Sequence, residues 1–129
     1  MILLARILAA LAALFGIVLG LGFLFHPVEA GVMFFLSPNG IPGLAVLRAD
    51  MTAFFLTGGI LAAVAAWRQD QTLLIAPIML FATAILGRTV SLIVDGVTPG
   101  AFTPMIVEAA LVAGLVFARR TFGVGASNG

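Results

Sequence analysis

The chain has 129 residues, of which 63% are apolar and only 9% are charged, and its formal net charge is +1. Soluble domains are about 45–50% apolar and about 25% charged, so this chain has too little polar surface for a soluble fold, and we expect lipid to be its main solvent. The near-neutral charge excludes the basic footprint of a nucleic-acid-binding protein, and the absence of Cys excludes disulfides, thiolate metal sites and thiol catalysis.

Four apolar stretches follow one another, each long enough to cross a bilayer at about 20 residues per helix. The first runs from Ile2 to Phe25 and contains one charge, Arg6. A signal peptide is the alternative for this stretch, but the apolar run is too long for one and no small-x-small cleavage site follows it. The other spans are predicted at about 44–67, 72–94 and 104–118. We therefore predict a single all-α domain over 1–129, a four-transmembrane-helix bundle.

The segments between the spans contain turn and helix-end signals. His26-Pro27 ends the first helix, and 28–36 is too short to span, so it is predicted to be a short interfacial helix. The stretch 37–43 is rich in Pro and Gly and is predicted to be a loop. The polar turn 68–71 is so short that the second and third spans should be antiparallel neighbours.

The last span is predicted to begin at Thr103-Pro104, because Pro is tolerated at the first helical position. Arg119-Arg120 is predicted to end it near Ala118, leaving a polar tail at 119–129. Gly16 and Gly20 form a small-xxx-small pattern, which we interpret as a packing surface within the chain rather than a site of self-association.

The basic residues indicate an orientation in the membrane. The loops at 27–43 and 95–103 contain no Arg or Lys, whereas the other side receives Arg6, Arg68, Arg119 and Arg120. Cytoplasmic loops carry an excess of basic residues, so both termini are predicted to be cytoplasmic.

Charges also occur inside the predicted spans. Arg48 and Asp50 lie near the outer end of the second span, Arg88 near that of the third, and Glu108 near that of the fourth. At a rise of 1.5 Å per residue, all four lie roughly 6–9 Å inside the outer boundary. Their formal charges cancel, as expected where an unpaired charge is costly. We predict that three helices bring these charges into one layer.

The spacing of the polar residues on the third span gives their direction. Arg88, Ser91 and Asp95 are separated by three and four residues, so they form one polar stripe along the helix. We expect Arg88 to point into the bundle, with Ser91 lining the same cavity. Asp50 and Glu108 are both candidate partners of Arg88, and the sequence does not choose between them.

The charge cluster has three interpretations. It is a structural network of ion pairs that fixes which helices pack together, or an outward-facing pocket in which Arg residues bind an anionic or polar ligand, or part of a proton or ion path. A single layer of charge does not make a relay across the membrane, so the first two interpretations are favoured.

Three further polar residues are predicted at the outer surface: His26, Glu29 and Asp95. A single His without Cys does not supply a metal-ligand set, so we expect no metal and no cofactor. The pairs Phe34-Phe35 and Phe54-Phe55 are interpreted as packing or lipid-facing groups.

The order of the polar motifs resembles that of an uncharacterised family of small bacterial four-helix inner-membrane proteins, which is similar in appearance to DoxX-like proteins. The motifs are Arg48-Ala49-Asp50, Gly87-Arg88 with Ser91, Asp95-Gly96 and Glu108. The resemblance covers about 47–108. It implies a four-helix topology in a bacterial inner membrane and singles out the same polar residues, but it implies no established activity.

Two functions remain open. The preferred one is a non-enzymatic protein that packs against other helices, as an accessory subunit of a larger membrane complex, because the chain is small and has no evident catalytic motif. The alternative is a binding or catalytic module for a small lipid-soluble or anionic molecule, using Arg48, Asp50, Arg88 and Glu108. The predicted partners are the lipid bilayer and other membrane subunits, without nucleic acid.

Overall fold

The computed structural model describes residues 1–127 and shows an all-α protein. Its helices, in chain order, are α1 (Ile2–Phe25), the short α2 (Pro27–Val32), α3 (Gly40–Arg68), α4 (Gln71–Val94) and α5 (Phe102–Ser127). All except α2 are long and apolar enough to cross a membrane. The predicted four-helix bundle is therefore confirmed, and the chain is a small multi-span membrane protein.

The long helices form a ring of neighbours. α1 packs most extensively on α3 and also contacts α5, while α4 packs on α5 and, less closely, on α3. Many large apolar side chains on the outside of the ring are exposed, for example Leu3, Leu11 and Leu14 on α1. Such a surface suits lipid, which is as apolar as these side chains.

Glycines allow α1 and α3 to approach closely. A Cβ atom added at Gly16 would lie 2.6 Å from the carbonyl oxygen of Phe55, and one added at Gly59 would lie 2.7 Å from the amide nitrogen of Ile17. Only glycine fits where two helix backbones are in contact. The small-xxx-small pattern of α1 therefore serves packing within the chain, as predicted.

Two arginines join the ends of α1 and α3. Arg6, near the start of α1, donates from Nε to the carbonyl oxygen of Ala66 at 3.1 Å, and Arg48 on α3 donates from Nε to the carbonyl oxygen of Leu24 at 3.1 Å. Both acceptors belong to the last turn of a helix, where carbonyl groups lack intrahelical partners and the helix dipole favours a cation. Each helix thus supplies the arginine that caps the C-terminus of the other.

The turn between α3 and α4 is tight, and it makes the two helices antiparallel neighbours, as predicted. Gln69 has a left-handed backbone with φ 54°, and the carboxylate of Asp70 accepts a hydrogen bond from the Thr72 amide at 2.9 Å. α4 then begins with one turn of 3-10 helix over Gln71–Leu74 before it becomes α-helical. The Asp70 side chain satisfies one of the amides that the start of a helix leaves unpaired.

Helix ends differ from the prediction in two places. α3 begins at Gly40, so the loop predicted over 37–43 is wrong for its last four residues; Pro42 lies in the first turn of the helix, where a missing amide proton costs little. α5 continues to Ser127, so the prediction that Arg119-Arg120 ends the helix near Ala118 is wrong. Arginine is a good helix former, and two charges limit the part of a helix that lies in lipid without ending the helix. Residues 128 and 129 of the predicted tail lie outside the described residues.

Candidate functional site

A cavity of about 830 Å³ opens at the end of the bundle formed by the segments 33–35 and 95–101. It lies between α1, α3, α4 and α5, and its volume falls within the range of about 300–1,000 Å³ that is usual for small-molecule sites. The two segments form its mouth, and the interior of the bundle forms its floor. The cavity is therefore large enough for a small organic molecule and is open at one end.

Aromatic rings form the floor of the cavity. Phe15 of α1 makes edge-to-face contacts with Phe55 of α3 and Phe81 of α4, with ring centroids 6.1 and 6.2 Å apart. Phe34, which follows α2, packs on Phe55 at 5.5 Å and closes the side towards the mouth. Edge-to-face pairs of this kind add rigidity and about 0.5–1.5 kcal/mol beyond the area they bury. The floor is therefore apolar and is formed by rings from α1, α3 and α4 and from the segment after α2.

An ion pair lies in the wall of this cavity. The Arg88 Nε on α4 donates to both carboxylate oxygens of Glu108 on α5, at 3.0 and 3.1 Å, and this is the only ion pair among residues 1–127. The Glu108 side chain is 10% exposed and that of Arg88 is 37% exposed. An almost buried carboxylate needs such a partner, because an uncompensated buried charge is strongly destabilising.

The terminal nitrogens of Arg88 have no hydrogen-bond partner among residues 1–127. A guanidinium group has five N–H donors, and Arg88 uses only its Nε in hydrogen bonds to the described part of the chain. Arg88 also lines the cavity, next to Ser91 one turn along the same face of α4. The pair thus holds the guanidinium in place while its terminal nitrogens remain available to a molecule in the cavity.

The structure brings together some of the predicted site residues. Arg88, Ser91, Asp95 and Glu108 all line the cavity, with Asp95 exposed at the mouth. Of the two candidate partners of Arg88, the structure selects Glu108 rather than Asp50. The polar stripe predicted on the third span therefore faces one common space.

Arg48 and Asp50 do not join this group. Both side chains are exposed; Arg48 binds the Leu24 carbonyl, and Asp50 has no ion pair in the described chain. The two residues lie in a π-helical turn, Leu47–Met51, within α3. A π-turn alters the angular spacing of successive side chains, so a face inferred from 3.6 residues per turn no longer applies there. The structure thus does not bring the four charges together.

The other two predicted outer-surface residues lie outside the cavity lining. His26 is exposed at the C-terminal end of α1, and Glu29 is exposed in the first turn of α2, where a carboxylate is favoured by the helix dipole. Within residues 1–127, no group of three His, Cys, Asp or Glu side chains is placed to hold a metal ion.

The aromatic floor is the part of the site that sequence reasoning missed. Phe34, Phe54 and Phe55 pack as expected, yet Phe34 and Phe55 also line the cavity. Phe35 lines the mouth, with a left-handed backbone at φ 58° and an exposed side chain. The only signal in the sequence is the recurrence of Phe on α1, α3 and α4, which does not distinguish a packed ring from a cavity wall.

No known protein family, curated protein or solved structure matches this chain. The family resemblance of the polar motifs therefore stays a prediction. The fold and the geometry of the cavity together describe a small four-span membrane protein with an ion pair in the wall of a largely apolar cavity.

Proposed function

We propose that this protein binds a small lipid-soluble molecule in the cavity, with the apolar part of the molecule on the aromatic floor and its one polar end at Arg88. The observation that carries this proposal is the Arg88–Glu108 pair, which fixes a guanidinium at the cavity wall and leaves its terminal donors without protein partners in the part of the chain described. Ligand sites usually combine an apolar lining with a few well-placed polar groups of this kind.

The charges around the cavity favour a neutral polar end. Arg88 and Glu108 compensate each other, and Asp95 adds a negative charge at the mouth. A full anion would face two carboxylates for one guanidinium, whereas a carbonyl oxygen can accept from the free donors without that repulsion. A ketone or ester with an apolar chain is the chemical class that suits the site best.

The proposal is tested by the thermal unfolding of the detergent-solubilised protein with three ten-carbon compounds at equal concentration: decan-2-one, decanoate and decane. A ligand that binds only the folded state raises the melting temperature. We expect decan-2-one to raise the melting temperature most, decanoate less, and decane least. An equal effect of decan-2-one and decane would contradict the role of Arg88.

Two neighbouring residues of α5 provide a matched pair of variants. Val107 lines the cavity, whereas Ile106 is exposed outside the cavity lining. Val107→Trp fills part of the cavity and should remove the effect of decan-2-one, while Ile106→Trp adds the same ring on the outside and should preserve the effect. If both variants behave alike, the ketone acts through the micelle and the proposal is wrong.

A second candidate is the accessory subunit of a larger membrane complex, and Asp50 supports it. This exposed carboxylate has no ion pair in the described chain. Counting along α3 from Arg68, it lies about 27 Å away, near the far side of a hydrocarbon layer about 30 Å thick. A cation on another subunit would satisfy Asp50 there. Affinity purification under mild detergent tests this: partners at fixed stoichiometry that Asp50→Asn releases support it, and partners unaffected by that change do not.

We also propose the orientation and membrane that the motifs and arginines predict: a bacterial inner membrane, with both termini in the cytoplasm. The support is the location of Arg6, Arg68 and Arg119-Arg120 towards the end of the bundle opposite the cavity mouth. The chain has no Cys, so single cysteines can report sidedness. A membrane-impermeant maleimide added to intact cells should label Asn39→Cys but not Ser127→Cys; the reverse pattern would overturn the orientation.

A further inference from the structure

A second, smaller groove lies at the opposite end of the bundle from the cavity. It has a volume of about 350 Å³ and lies between the first turns of α4 and the C-terminal half of α5. Its lining combines four apolar side chains with two arginines: Ile75, Ile78, Met79, Val116, Arg119 and Arg120. We call this the arginine groove. It shares no residue with the cavity, so an inference about it does not depend on the function proposed above.

Arg119 is the unusual residue of this groove. Its Nε atom is buried and has no hydrogen-bond partner among residues 1–127, and Arg120 beside it is exposed. A buried N–H donor without an acceptor costs free energy, and a charged one costs more. The described chain therefore leaves one donor of Arg119 unpaired beside the groove, and neither of the two arginines that line the groove has a carboxylate partner among residues 1–127. An anionic acceptor from another molecule would compensate these charges.

The position of the arginine groove indicates which kind of molecule would supply the acceptor. The two arginines follow the long apolar part of α5, and Ile75 and Met79 on the opposing helix have exposed side chains. This is where the hydrocarbon part of a bilayer meets its headgroups, and basic pockets between transmembrane helices at that level bind anionic lipid headgroups. Guanidinium groups match phosphate oxygens with several parallel hydrogen bonds.

We propose that the arginine groove binds an anionic phospholipid, with the phosphate at Arg119 and Arg120 and the upper part of an acyl chain on Ile75, Met79 and Val116. A zwitterionic lipid carries the same phosphate but adds a cation. The lining residues include two positive and no negative side chains, so they favour the lipid that brings net negative charge. A free phosphate ion would satisfy the arginines but would leave the apolar half of the groove empty.

The experiment is native mass spectrometry of the purified full-length protein with added dioleoylphosphatidylglycerol, and with dioleoylphosphatidylcholine as the neutral lipid. The double variant Arg119→Gln/Arg120→Gln should lose about thirtyfold in affinity for phosphatidylglycerol and change little towards phosphatidylcholine. Arg120→Gln alone changes only an exposed side chain, so it should fold normally, and it should lose about fivefold. Arg68→Gln is the matched control, because Arg68 lies at the same end of the bundle outside the groove lining, and it should keep its affinity.

The role of the apolar lining residues is tested separately. Val116→Phe fills the groove and keeps both arginines, so phosphatidylglycerol should bind to this variant at least tenfold more weakly. In the wild type, glycerol 3-phosphate at a concentration equal to that of the lipid should not compete with phosphatidylglycerol for the groove. Retained binding in Val116→Phe, or full competition by glycerol 3-phosphate, would show a headgroup or phosphate site alone and overturn the proposal. Equal loss in Arg68→Gln and Arg120→Gln would show a general charge effect and also overturn it.

Discussion

The two halves of the bundle are packed differently. In their most apolar stretches, 33% of the residues of α1 and 39% of those of α3 are buried, against 17% in each of α4 and α5. A Cβ atom at Gly59 of α3 would collide with the backbone of α1, but one at Gly87 of α4 would meet no atom within 4 Å. The pair α1–α3 thus holds the fold together, and the looser helices α4 and α5 leave the space in which molecules can bind.

Side-chain size explains this difference. The buried face of α1 consists almost entirely of small residues at helical spacing: Ala5, Ala9, Ala12, Ala13, Gly16 and Gly20, with Phe23 at the end. Small residues let helices approach within lipid, where close packing rather than the hydrophobic effect drives association. α4 buries only Pro77 and Phe81 after its first turn. Its contacts with the rest of the bundle include Pro77 and Leu80 against Gly58 of α3, the ring of Phe81, and one ion pair to α5.

Removing that ion pair should cause the largest loss of stability. Arg88→Leu leaves the nearly buried Glu108 without its partner, and breaking a buried pair costs about 3–5 kcal/mol. We expect the lower part of this range, because the Arg88 side chain is 37% exposed. The measurement is the free energy of unfolding in mixed micelles.

The double variant Arg88→Leu/Glu108→Met is the control for this prediction. It removes both charges, so it should recover most of the lost stability. An unchanged stability of Arg88→Leu alone would mean that water in the cavity already satisfies Glu108.

Replacing a glycine by alanine should destabilise the tightly packed pair α1–α3 but should be tolerated in α4. Gly59→Ala places a Cβ atom 2.7 Å from the Ile17 amide nitrogen and 2.9 Å from the Gly16 carbonyl carbon, and overpacking against backbone should cost about 2–3 kcal/mol. Gly87→Ala has free space and a helical backbone, so it should be neutral or gain up to about 1 kcal/mol. Thermal unfolding of the two variants side by side tests the contrast, and equal destabilisation would contradict it.

A smaller effect is expected where an arginine caps the neighbouring helix. Arg6→Met keeps the length of the side chain but removes the hydrogen bond to the Ala66 carbonyl, so it should cost about 1.5 kcal/mol. Arg68→Met at the same end of the bundle removes an exposed charge without a hydrogen bond in the described residues, and it should leave stability within about 0.5 kcal/mol. If the two variants unfold together, the Arg6 contact does not stabilise the pair α1–α3.

The smallest change in stability is expected at Ser91. Its side chain is exposed in the cavity and makes no hydrogen bond in the described chain, so Ser91→Ala should change stability by less than about 0.5 kcal/mol. The same substitution should lower the effect of decan-2-one on the melting temperature, because Ser91 lies one turn from Arg88 at the polar end of the site. A full ketone effect in Ser91→Ala would show that Ser91 does not contact the polar end of the ligand.

The sequence predicts the helices well because each depends on local composition. An apolar stretch of about 20 residues is sufficient to indicate a span, and the stripe of Arg88, Ser91 and Asp95 follows from helical spacing alone. The bundle, and the common space that these residues face, can therefore be predicted from the sequence. Choosing Glu108 over Asp50 as the partner of Arg88 required the packing of α4 on α5, for which the sequence has no marker.

The roles of Arg6 and Arg48 could not be predicted for a related reason. Each binds a backbone carbonyl on another helix, and every residue has such a carbonyl, so the acceptor leaves no trace in the sequence. The π-turn that contains Arg48 and Asp50 also shifts their direction away from the one inferred from a regular helix. The features of this site that follow from the spacing of residues along one helix can thus be predicted. The features that depend on contacts between helices cannot.

The most direct test of the cavity as a binding site is native mass spectrometry of the protein extracted gently from its own membrane, together with Val107→Trp and Ile106→Trp. We predict that the wild type and Ile106→Trp carry one small adduct of constant mass that Val107→Trp lacks, and that this adduct persists in Arg119→Gln/Arg120→Gln. The mass would then identify the ligand class. An identical adduct pattern in Val107→Trp and Ile106→Trp would contradict the proposed binding site. A wild-type protein that carries other subunits and no small adduct would also contradict it.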